Sequence, residues 1–283
     1  ARTGHEFLIV EPEIAPGHYR RWDENMRPVP ENVRLITKET AQEMLEQGEL
    51  DLIIAHNIKD LIEVKYSSLP KIAVFHNCLT TEIKLGKGKV DRKEYLAKVG
   101  PLLKDVNKVF ISEKKRKDWG LNCELILPGL DISEYGGYRG DRESVLQVGN
   151  LLQERDLMMG YSVSQEIVGN HPLTTLGINP NIPGSRLSEG FEDLLENFRS
   201  CRVFINTTVD EYEDGYNLSM LEAMATGMPV VSSWNKSSPI KDGENGYVSK
   251  DPNYLNQCIE SLLKNPDEAR RIGEQGRKTV QDK

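Results

Sequence analysis

Short runs of apolar residues alternate along the chain with longer stretches in which apolar residues recur every three or four positions. The short runs predict buried strands at 5–11, 50–56, 71–76, 108–112, 124–127, 145–148, 173–178, 202–207 and 229–233. The longer stretches predict helices at 40–47, 59–66, 92–106, 154–168, 191–200, 253–264 and 266–280. Strands that alternate with helices in this way are typical of a parallel α/β sheet.

A polar, glycine-rich stretch at 132–142 interrupts this alternation near the middle of the chain and is a candidate linker. An α/β series of similar size lies on each side of it. We therefore expect two Rossmann-like, doubly wound domains, at 1–131 and 132–283, that face a central cleft. In such sheets ligands bind beyond the carboxyl ends of the strands. Residues 12–38 and the loop 86–89 are expected to be irregular.

The composition narrows the function classes. The net charge of −8 argues against a nucleic-acid-binding protein, because such proteins neutralise phosphates with basic side chains. No apolar run approaches the length of a membrane span. The four cysteines (Cys78, Cys123, Cys201 and Cys258) are far apart and form no Cys-x-x-Cys pair, which indicates free thiols in a reducing, cytoplasmic compartment without structural zinc. The fingerprints of dehydrogenases, P-loop kinases and α/β-hydrolases are missing.

The segment 214–231 carries the most specific chemistry. Apolar residues recur at helical spacing, at Leu218, Leu221 and Ala225. Gly227 predicts the C-cap of this helix, and Pro229 prevents its continuation. The unpaired N–H groups at the helix N-terminus suit a diphosphate, and the carboxylates of Asp214 and Glu222 could accept hydrogen bonds from sugar and ribose hydroxyls. The alternative is an ordinary helix–strand connection in which Glu222 is simply solvated.

The sequence DGYNLSMLEAMATGMPVVSS resembles the donor-site segment of GT-B glycosyltransferases, of the large retaining group that includes glycosyltransferase family 4. That group carries two glutamates separated by seven residues, followed by Gly-x-Pro-Val-Val. Glu222 occupies the second glutamate position, and Asp214 occupies the first. The segments 191–207, 241–248 and 266–280 also resemble the family. The resemblance covers nearly all of the C-terminal half and is much weaker over the N-terminal half.

The resemblance implies a retaining transfer of a sugar from a UDP- or GDP-linked donor to an acceptor hydroxyl, with no cofactor and no metal. It implies that Glu222 binds the ribose and that Asp214 holds the sugar ring. The diphosphate would be bound at the helix N-terminus, by Gly215, Tyr216, Asn217 and Leu218. Two rival functions stay open: a non-catalytic sugar-nucleotide-binding module, and another GT-B enzyme such as a sugar-nucleotide epimerase or a sugar phosphorylase.

A second turn, Gly149-Asn150 to Arg155, follows a predicted strand and opens a helix. In the family this turn carries two cations that contact the diphosphate. Arg155 fills the second position, whereas Asn150 replaces the first cation, so that Lys236 is a candidate substitute. For Arg155, the alternative is an ordinary surface residue of the helix.

His76 ends a buried strand of the N-terminal half and resembles the family's histidine near the reaction centre. Histidine can hydrogen-bond hydroxyls and exchange protons near neutral pH. His56 ends the preceding strand. A satisfied structural histidine is the alternative for His76 and the favoured interpretation for His56.

The basic run 114–117 is expected to form a solvated helix face; a sharper alternative is contact with an anionic acceptor or with a membrane surface. The acceptor could be a carbohydrate, a lipid-linked sugar or a small molecule, and the protein could lie at the inner face of the membrane. Family members also begin with a strand, a glycine-rich turn and a helix ahead of the Gly4-His5-Glu6 segment, and continue beyond the position of Lys283. The sequence is therefore expected to be clipped at both ends.

Overall fold

The structure is a computed structural model that describes residues 4–11, 21–86 and 90–281. The strands are β1 Phe7–Val10, β2 Val33–Ile36, β3 Ile53–Ala55, β4 Lys71–Phe75, β5 Asn107–Phe110, β6 Glu124–Leu125, β7 Arg142–Val148, β8 Leu173–Leu176, β9 Cys201–Asn206, β10 Val230–Ser233 and β11 Tyr247–Ser249. The helices are α1 Lys38–Gln47, α2 Ile58–Glu63, α3 Leu79–Leu85, α4 Arg92–Leu103, α5 Glu113–Trp119, α6 Asp156–Met159, α7 Tyr161–Val168, α8 Phe191–Ser200, α9 Leu218–Thr226, α10 Pro252–Lys264 and α11 Pro266–Gln281.

The C-terminal half is built on a five-stranded parallel sheet with the order β11-β10-β9-β7-β8. Successive side chains of a strand point to opposite faces. Val203 and Ile205 of β9 therefore pack with α7 and α10, whereas Phe204 packs with α8 and α9. Strand β8 is added on one side of β7, whereas β9, β10 and β11 follow on its other side, so the strand order reverses between β7 and β9. That reversal is the topological switch point at which ligands bind in doubly wound sheets.

The N-terminal half contains a four-stranded parallel sheet, β3-β4-β5-β6, and a separate parallel pair, β1-β2. Its core includes an aromatic cluster. The ring centroid of Phe75 lies 4.7 Å from the ring centroids of both Phe110 and Trp119. Leu52 and Ile54, next to and within β3, are exposed, and so is Val10 at the end of β1. The strand predicted at 50–56 is therefore only half-buried, because β3 is an edge strand of its sheet.

Three other differences from the predicted elements have local causes. The single helix predicted at 154–168 is divided into α6 and α7, because Gly160 adopts a left-handed conformation with φ of 58° and approaches the Thr207 carbonyl closely. Strands β2 and β11 were not predicted, because they are only four and three residues long and show no clear alternation of apolar and polar residues. Helix α3 was not predicted: its N-cap residue, Cys78, makes no side-chain hydrogen bond to the helix, and the burial of Leu79 and Thr81 stabilises it.

The two halves contact each other through segments that were expected to be irregular. The Asn25 carbonyl accepts a hydrogen bond from the Phe191 N–H at the start of α8, and the Arg27 guanidinium lies 3.5 Å from the centre of the Phe191 ring. Tyr135, in the predicted linker, is buried in a cluster with Leu195. The glycine-rich stretch is thus docked on the C-terminal sheet's helices. The boundary at residue 131 remains a prediction.

Part of the predicted irregular segment, residues 12–20, lies outside the described residues, as do residues 87–89 of the predicted loop 86–89. Cys78, Cys123, Cys201 and Cys258 are free thiols, as expected. Within the described ranges, no helix is both long enough and apolar enough to cross a bilayer.

Candidate functional site

Helix α9 has the two ends that the sequence predicts. Asn217 is its N-cap: the side-chain oxygen accepts the Met220 N–H at 2.8 Å, and the side-chain amide donates to Asn206 Oδ1 at 3.1 Å. Gly227 closes the helix with φ of 91°. The predicted apolar face was wrong in one position, because Leu218 is 52 % exposed. Met220 and its helical neighbours supply the buried face, so Leu218 is left at the open end of the helix.

The loop that enters α9 has backbone groups of two kinds. The Gly215 N–H donates to Ser237 Oγ at 2.8 Å, so it is already satisfied inside the protein. A Cβ atom on Gly215 would lie 2.4 Å from the Ser238 nitrogen, which explains the glycine by packing. In the described part of the chain, the N–H groups of Tyr216 and Asn217 have no acceptor. Together with the Leu218 N–H, which likewise has no acceptor among the described residues, and unlike the Gly215 N–H, they are the donors that a diphosphate could reach.

Glu222 lies on the second turn of α9, and its Oε1 accepts a hydrogen bond from the Tyr135 hydroxyl at 2.9 Å. Burial raises the pKa of the Glu222 carboxyl, and the Tyr135 hydrogen bond and the nearby Arg27 charge oppose this rise only in part. No described residue donates a hydrogen bond to Oε2 of Glu222. This carboxylate is thus held from one side and retains an acceptor for a ligand.

Asp214 is buried and forms an ion pair through Oδ2 with Lys115, which belongs to the N-terminal half. Lys115 also contacts Glu213 Oε1 at 2.5 Å. The expectation of a solvated face for residues 114–117 is therefore wrong for Lys115 and for Lys114, whose ammonium group donates to the carbonyls of Asp210 and Glu213. It is correct for Lys117, whose side chain is 75 % exposed. The run is not a continuous basic surface, so it gives no support to membrane contact.

The turn from Gly149 to Arg155 and the loop after β9 lie at the same edge of the sheet, because β7 and β9 are parallel neighbours. The Asn150 side-chain oxygen accepts the Ile178 N–H at 2.9 Å, and the Gly149 carbonyl accepts from Asn179. Asn150 therefore has a structural task in bracing the turn. Arg155 is the N-cap residue of α6, and none of the described residues forms an ion pair or side-chain hydrogen bond with it.

Lys236 follows β10, next to β9, and its backbone N–H donates to Asp210 Oδ1 at 2.8 Å. Its ammonium group has no ion-pair partner among the residues described. Arg155 and Lys236 are thus uncommitted cations on loops at the carboxyl edge of one sheet.

The two histidines form a pair at the carboxyl edge of the N-terminal sheet. His56 Nδ1 lies 3.0 Å from His76 Nε2, and the rings are stacked with centroids 5.2 Å apart. One of the two nitrogens carries the proton and donates the hydrogen bond, and the other nitrogen accepts that hydrogen bond. Burial, together with the charges of His56 and Lys115, lowers the pKa of His76 below its usual 6.5. His76 is therefore mainly a neutral imidazole at pH 7, which has one donor and one acceptor nitrogen.

We expect the His76 imidazole to titrate below pH 6.5, and its pKa to rise when His56 is replaced by Asn, because the neighbouring charge is removed. The unfolded chain binds more protons than the native protein between the two pKa values of His76, so this residue makes the free energy of unfolding decrease as the pH falls below 6.5. Imidazole NMR signals measured against pH check the shift. His171→Asn is the control, and a His76 pKa that does not respond to His56→Asn would contradict the pairing.

A cavity of about 200 Å³ also lies at the carboxyl edge of the C-terminal sheet. Its lining includes Ile167 of α7, Leu255 of α10, and Trp234 with Lys250 beyond the strand ends. The helices α7 and α10 cover the face opposite to α9. Residues 207–210 of the loop between β9 and α9 also line the cavity, so it adjoins that loop, and it is smaller than the pockets of about 300–1,000 Å³ that hold most small ligands.

Comparisons with known proteins fit this geometry. Residues 151–265 match the family described as "Glycosyl transferases group 1". The chain is 26 % identical over 145 residues to EpsD from Bacillus subtilis (strain 168), whose name assigns it provisionally to the glycosyltransferases. That match covers 50 % of this chain and 37 % of EpsD. The predicted resemblance to glycosyltransferases is confirmed for residues 151–265.

Solved structures show the fold. HepE from Anabaena, in complex with UDP and glucose, has a TM-score of 0.65 at 14 % sequence identity. The match covers 88 % of this chain and 81 % of the HepE chain. Sucrose-phosphate synthase from Thermosynechococcus elongatus has a TM-score of 0.65 at 16 % sequence identity. The match covers 98 % of this chain and 83 % of the synthase. TarM from S. aureus has a TM-score of 0.62 at 18 % sequence identity. The match covers 82 % of this chain but only 52 % of TarM. The fold is GT-B, as predicted.

Two residues of the site, Glu213 and Tyr135, were not singled out in the sequence, and Lys115 was named only as part of the basic run 114–117. Lys115 and Glu213 complete the ion pair of Asp214, and Tyr135 holds Glu222. A signal existed for Lys115, because α5 begins directly after β5 and its first turn must lie at the carboxyl edge of the sheet. Tyr135 gave none, because it lies in a stretch whose composition indicates a linker.

Proposed function

We propose that this protein is a retaining glycosyltransferase that transfers a sugar from a nucleoside diphosphate sugar, linked to UDP or GDP, to an acceptor hydroxyl. The observation that carries the proposal is the start of α9, where donor N–H groups lie between the carboxylates of Asp214 and Glu222 at the switch point of the C-terminal sheet. Such a helix N-terminus binds diphosphates. The family match over residues 151–265 and the UDP complexes of HepE and TarM support it.

The proposed roles follow from the chemistry of each group. Glu222 accepts hydrogen bonds from the ribose hydroxyls through Oε2, while Tyr135 fixes its other oxygen. The N–H groups of Tyr216 and Asn217 stabilise the diphosphate, whose negative charge grows as the glycosidic bond breaks. Arg155 supplies a counter-charge, with Lys236 in place of the cation that Asn150 lacks. Asp214 holds the sugar ring.

The reaction centre lies between the carboxyl edges of the two sheets. His76 contacts the sugar near the transferred bond as a neutral imidazole. The acceptor attacks the same face that the diphosphate leaves, so the anomeric configuration is retained. Contact between the halves excludes water, which otherwise competes as an acceptor. The proposed acceptor is a carbohydrate, a lipid-linked sugar or a small molecule, and the proposed compartment is the cytoplasm, in keeping with four free thiols.

Isothermal titration with UDP, GDP and ADP, followed by turnover assays with the matching sugars, tests the proposal. We expect one nucleotide to bind, slow hydrolysis of its sugar conjugate in the absence of an acceptor, and a product with the donor's anomeric configuration by NMR. A wild-type protein that binds none of the nucleotides refutes the proposal. Binding without hydrolysis or transfer favours the non-catalytic binding module. Inverted configuration refutes retention alone.

A further inference from the structure

The loop that precedes α9 is held by side chains of the N-terminal half. Lys115, which is 3 % exposed, contacts the carboxylates of Glu213 and Asp214. Lys114 donates to the Glu213 carbonyl at 2.7 Å, and the Thr81 hydroxyl donates to the Tyr212 carbonyl at 2.5 Å. Three side chains from α3 and α5 thus fix a single loop of the other half, directly next to the residues that bind the donor in the proposed function.

The charges at the centre of this contact do not balance. One ammonium group lies between two carboxylates, and the Glu213 carboxylate also accepts the Asp214 backbone N–H at 2.9 Å. Asp214 differs from Glu213, because its Oδ1 is buried without any hydrogen-bond partner among the described residues. A buried carboxylate oxygen is strongly favoured to accept a hydrogen bond. Asp214 therefore has one oxygen held by protein and one buried oxygen whose hydrogen bond no described residue makes.

From this arrangement, and on the basis of the proposed function, we infer that Lys115 is a positioning residue for the donor sugar. Lys115 holds Asp214 through Oδ2 and directs Oδ1 toward a hydroxyl group of the sugar ring. Because Lys115 and Asp214 belong to different halves, the sugar hydroxyl is recognised only while the halves are in contact. The nucleotide part of the donor is bound by the C-terminal half alone, so it does not depend on Lys115.

Lys115 is suited to this task because it stays charged. Burial lowers its pKa, but the carboxylates of Glu213 and Asp214 raise it by more, so the pKa lies above the usual 10.5. A methionine at this position retains most of the volume and removes the charge. Asp214 would then lose the contact that fixes its carboxylate, and the same loss would follow from Asp214→Asn.

The test compares two affinities of each variant. UDP-glucose, UDP-galactose, UDP-N-acetylglucosamine and GDP-mannose are titrated into the wild-type protein, and the tightest is retained together with its parent nucleotide. We expect Lys115→Met to weaken the sugar nucleotide about tenfold or more, as for a lost hydrogen bond to a charged group, and the parent nucleotide less than about threefold. Asp214→Asn is expected to do the same, and the double variant to be no worse than either single one, because the two residues act as one unit.

Lys117→Met is the matched control, because Lys117 lies on the same helix, is exposed and, among the described residues, forms an ion pair with Glu113 alone. If Lys115→Met does not fold, Lys115→Arg replaces it: the charge is retained, but the planar guanidinium displaces Asp214, and the sugar nucleotide must still weaken about threefold relative to the parent nucleotide. Equal weakening of both ligands, or of neither, overturns the inference and leaves the proposed function intact. Failure of every nucleotide to bind the wild-type protein overturns the proposed function itself.

Discussion

Replacement of Glu222 by alanine is expected to weaken binding of the parent nucleotide by roughly 30- to 100-fold, as for the loss of about 2–3 kcal/mol from hydrogen bonds to a charged acceptor. The reason is the position of this carboxylate. Tyr135 occupies Oε1, Oε2 is left for the ribose, and the side chain comes from a helix that is capped at both ends and packed on its buried face. Little reorganisation is needed before the hydroxyls bind. Isothermal titration of the wild-type protein and of the variant measures the effect.

Three further variants separate a ribose contact from a general effect on the fold. Glu222→Gln retains the shape and should lose an intermediate amount of affinity. Tyr135→Phe leaves the carboxylate in place and should lose less than about fivefold, because the removed hydrogen bond holds Oε1 and not the oxygen that contacts the ribose. Glu274→Ala changes an exposed carboxylate on α11 and should have no effect. A Glu222→Ala protein that binds the nucleotide as tightly as the wild-type protein would remove Glu222 from the site.

The pH dependence gives an independent check of the same carboxylate. Burial raises the pKa of Glu222, so its proton is bound at a higher pH than that of an exposed glutamate. Nucleotide affinity of the wild-type protein should therefore decrease as the pH falls through this raised pKa, because the protonated acid is a weaker acceptor. The Glu222→Gln variant carries no titrating group here and isolates the contribution of the nucleotide's own phosphate.

The C-terminal half was predicted well because its elements carry strong local signals. Strand β9 is buried over its whole length around the apolar run 203–205, and α8, α10 and α11 are amphipathic over three to four turns. Gly227 marked the end of α9 correctly. At such positions local preference and tertiary packing agree, and a sequence pattern is then sufficient.

The errors fall where tertiary contacts override local preference. Helix α3 depends on burial of Leu79 and Thr81 between neighbouring elements, and the break at Gly160 depends on the approach of a backbone carbonyl from a distant loop. Lys115 is polar in the sequence but buried in the structure, because its partners lie about a hundred residues later. The nature of Asp214 was only half predictable: a carboxylate was expected, but not the lysine that holds it.

Replacement of Gly273 by alanine is expected to lower the free energy of unfolding by about 3 kcal/mol, at the upper end of the range for an overpacked core. Gly273 lies in α11 where this helix crosses the end of α9, and an added Cβ atom would lie 1.9 Å from the Gly227 carbonyl oxygen. The obstacle is backbone, so no side-chain rotation relieves it. Helix α11 must move away from α9, and the buried contacts around Met224 and Gly276 are loosened.

A second helical glycine provides the matched control. Gly100 lies in α4 with no atom of another element near the position of a Cβ atom, so Gly100→Ala should change the free energy of unfolding by less than about 1 kcal/mol: helix propensity favours alanine, whereas the following Pro101 disfavours a Cβ atom in helical backbone. Urea unfolding of both variants measures the large loss in Gly273→Ala against the small change in Gly100→Ala. A Gly273→Ala protein as stable as the wild-type protein would show that α11 does not press on the end of α9. Because α9 carries Glu222, the same displacement should also weaken nucleotide binding in Gly273→Ala but not in Gly100→Ala.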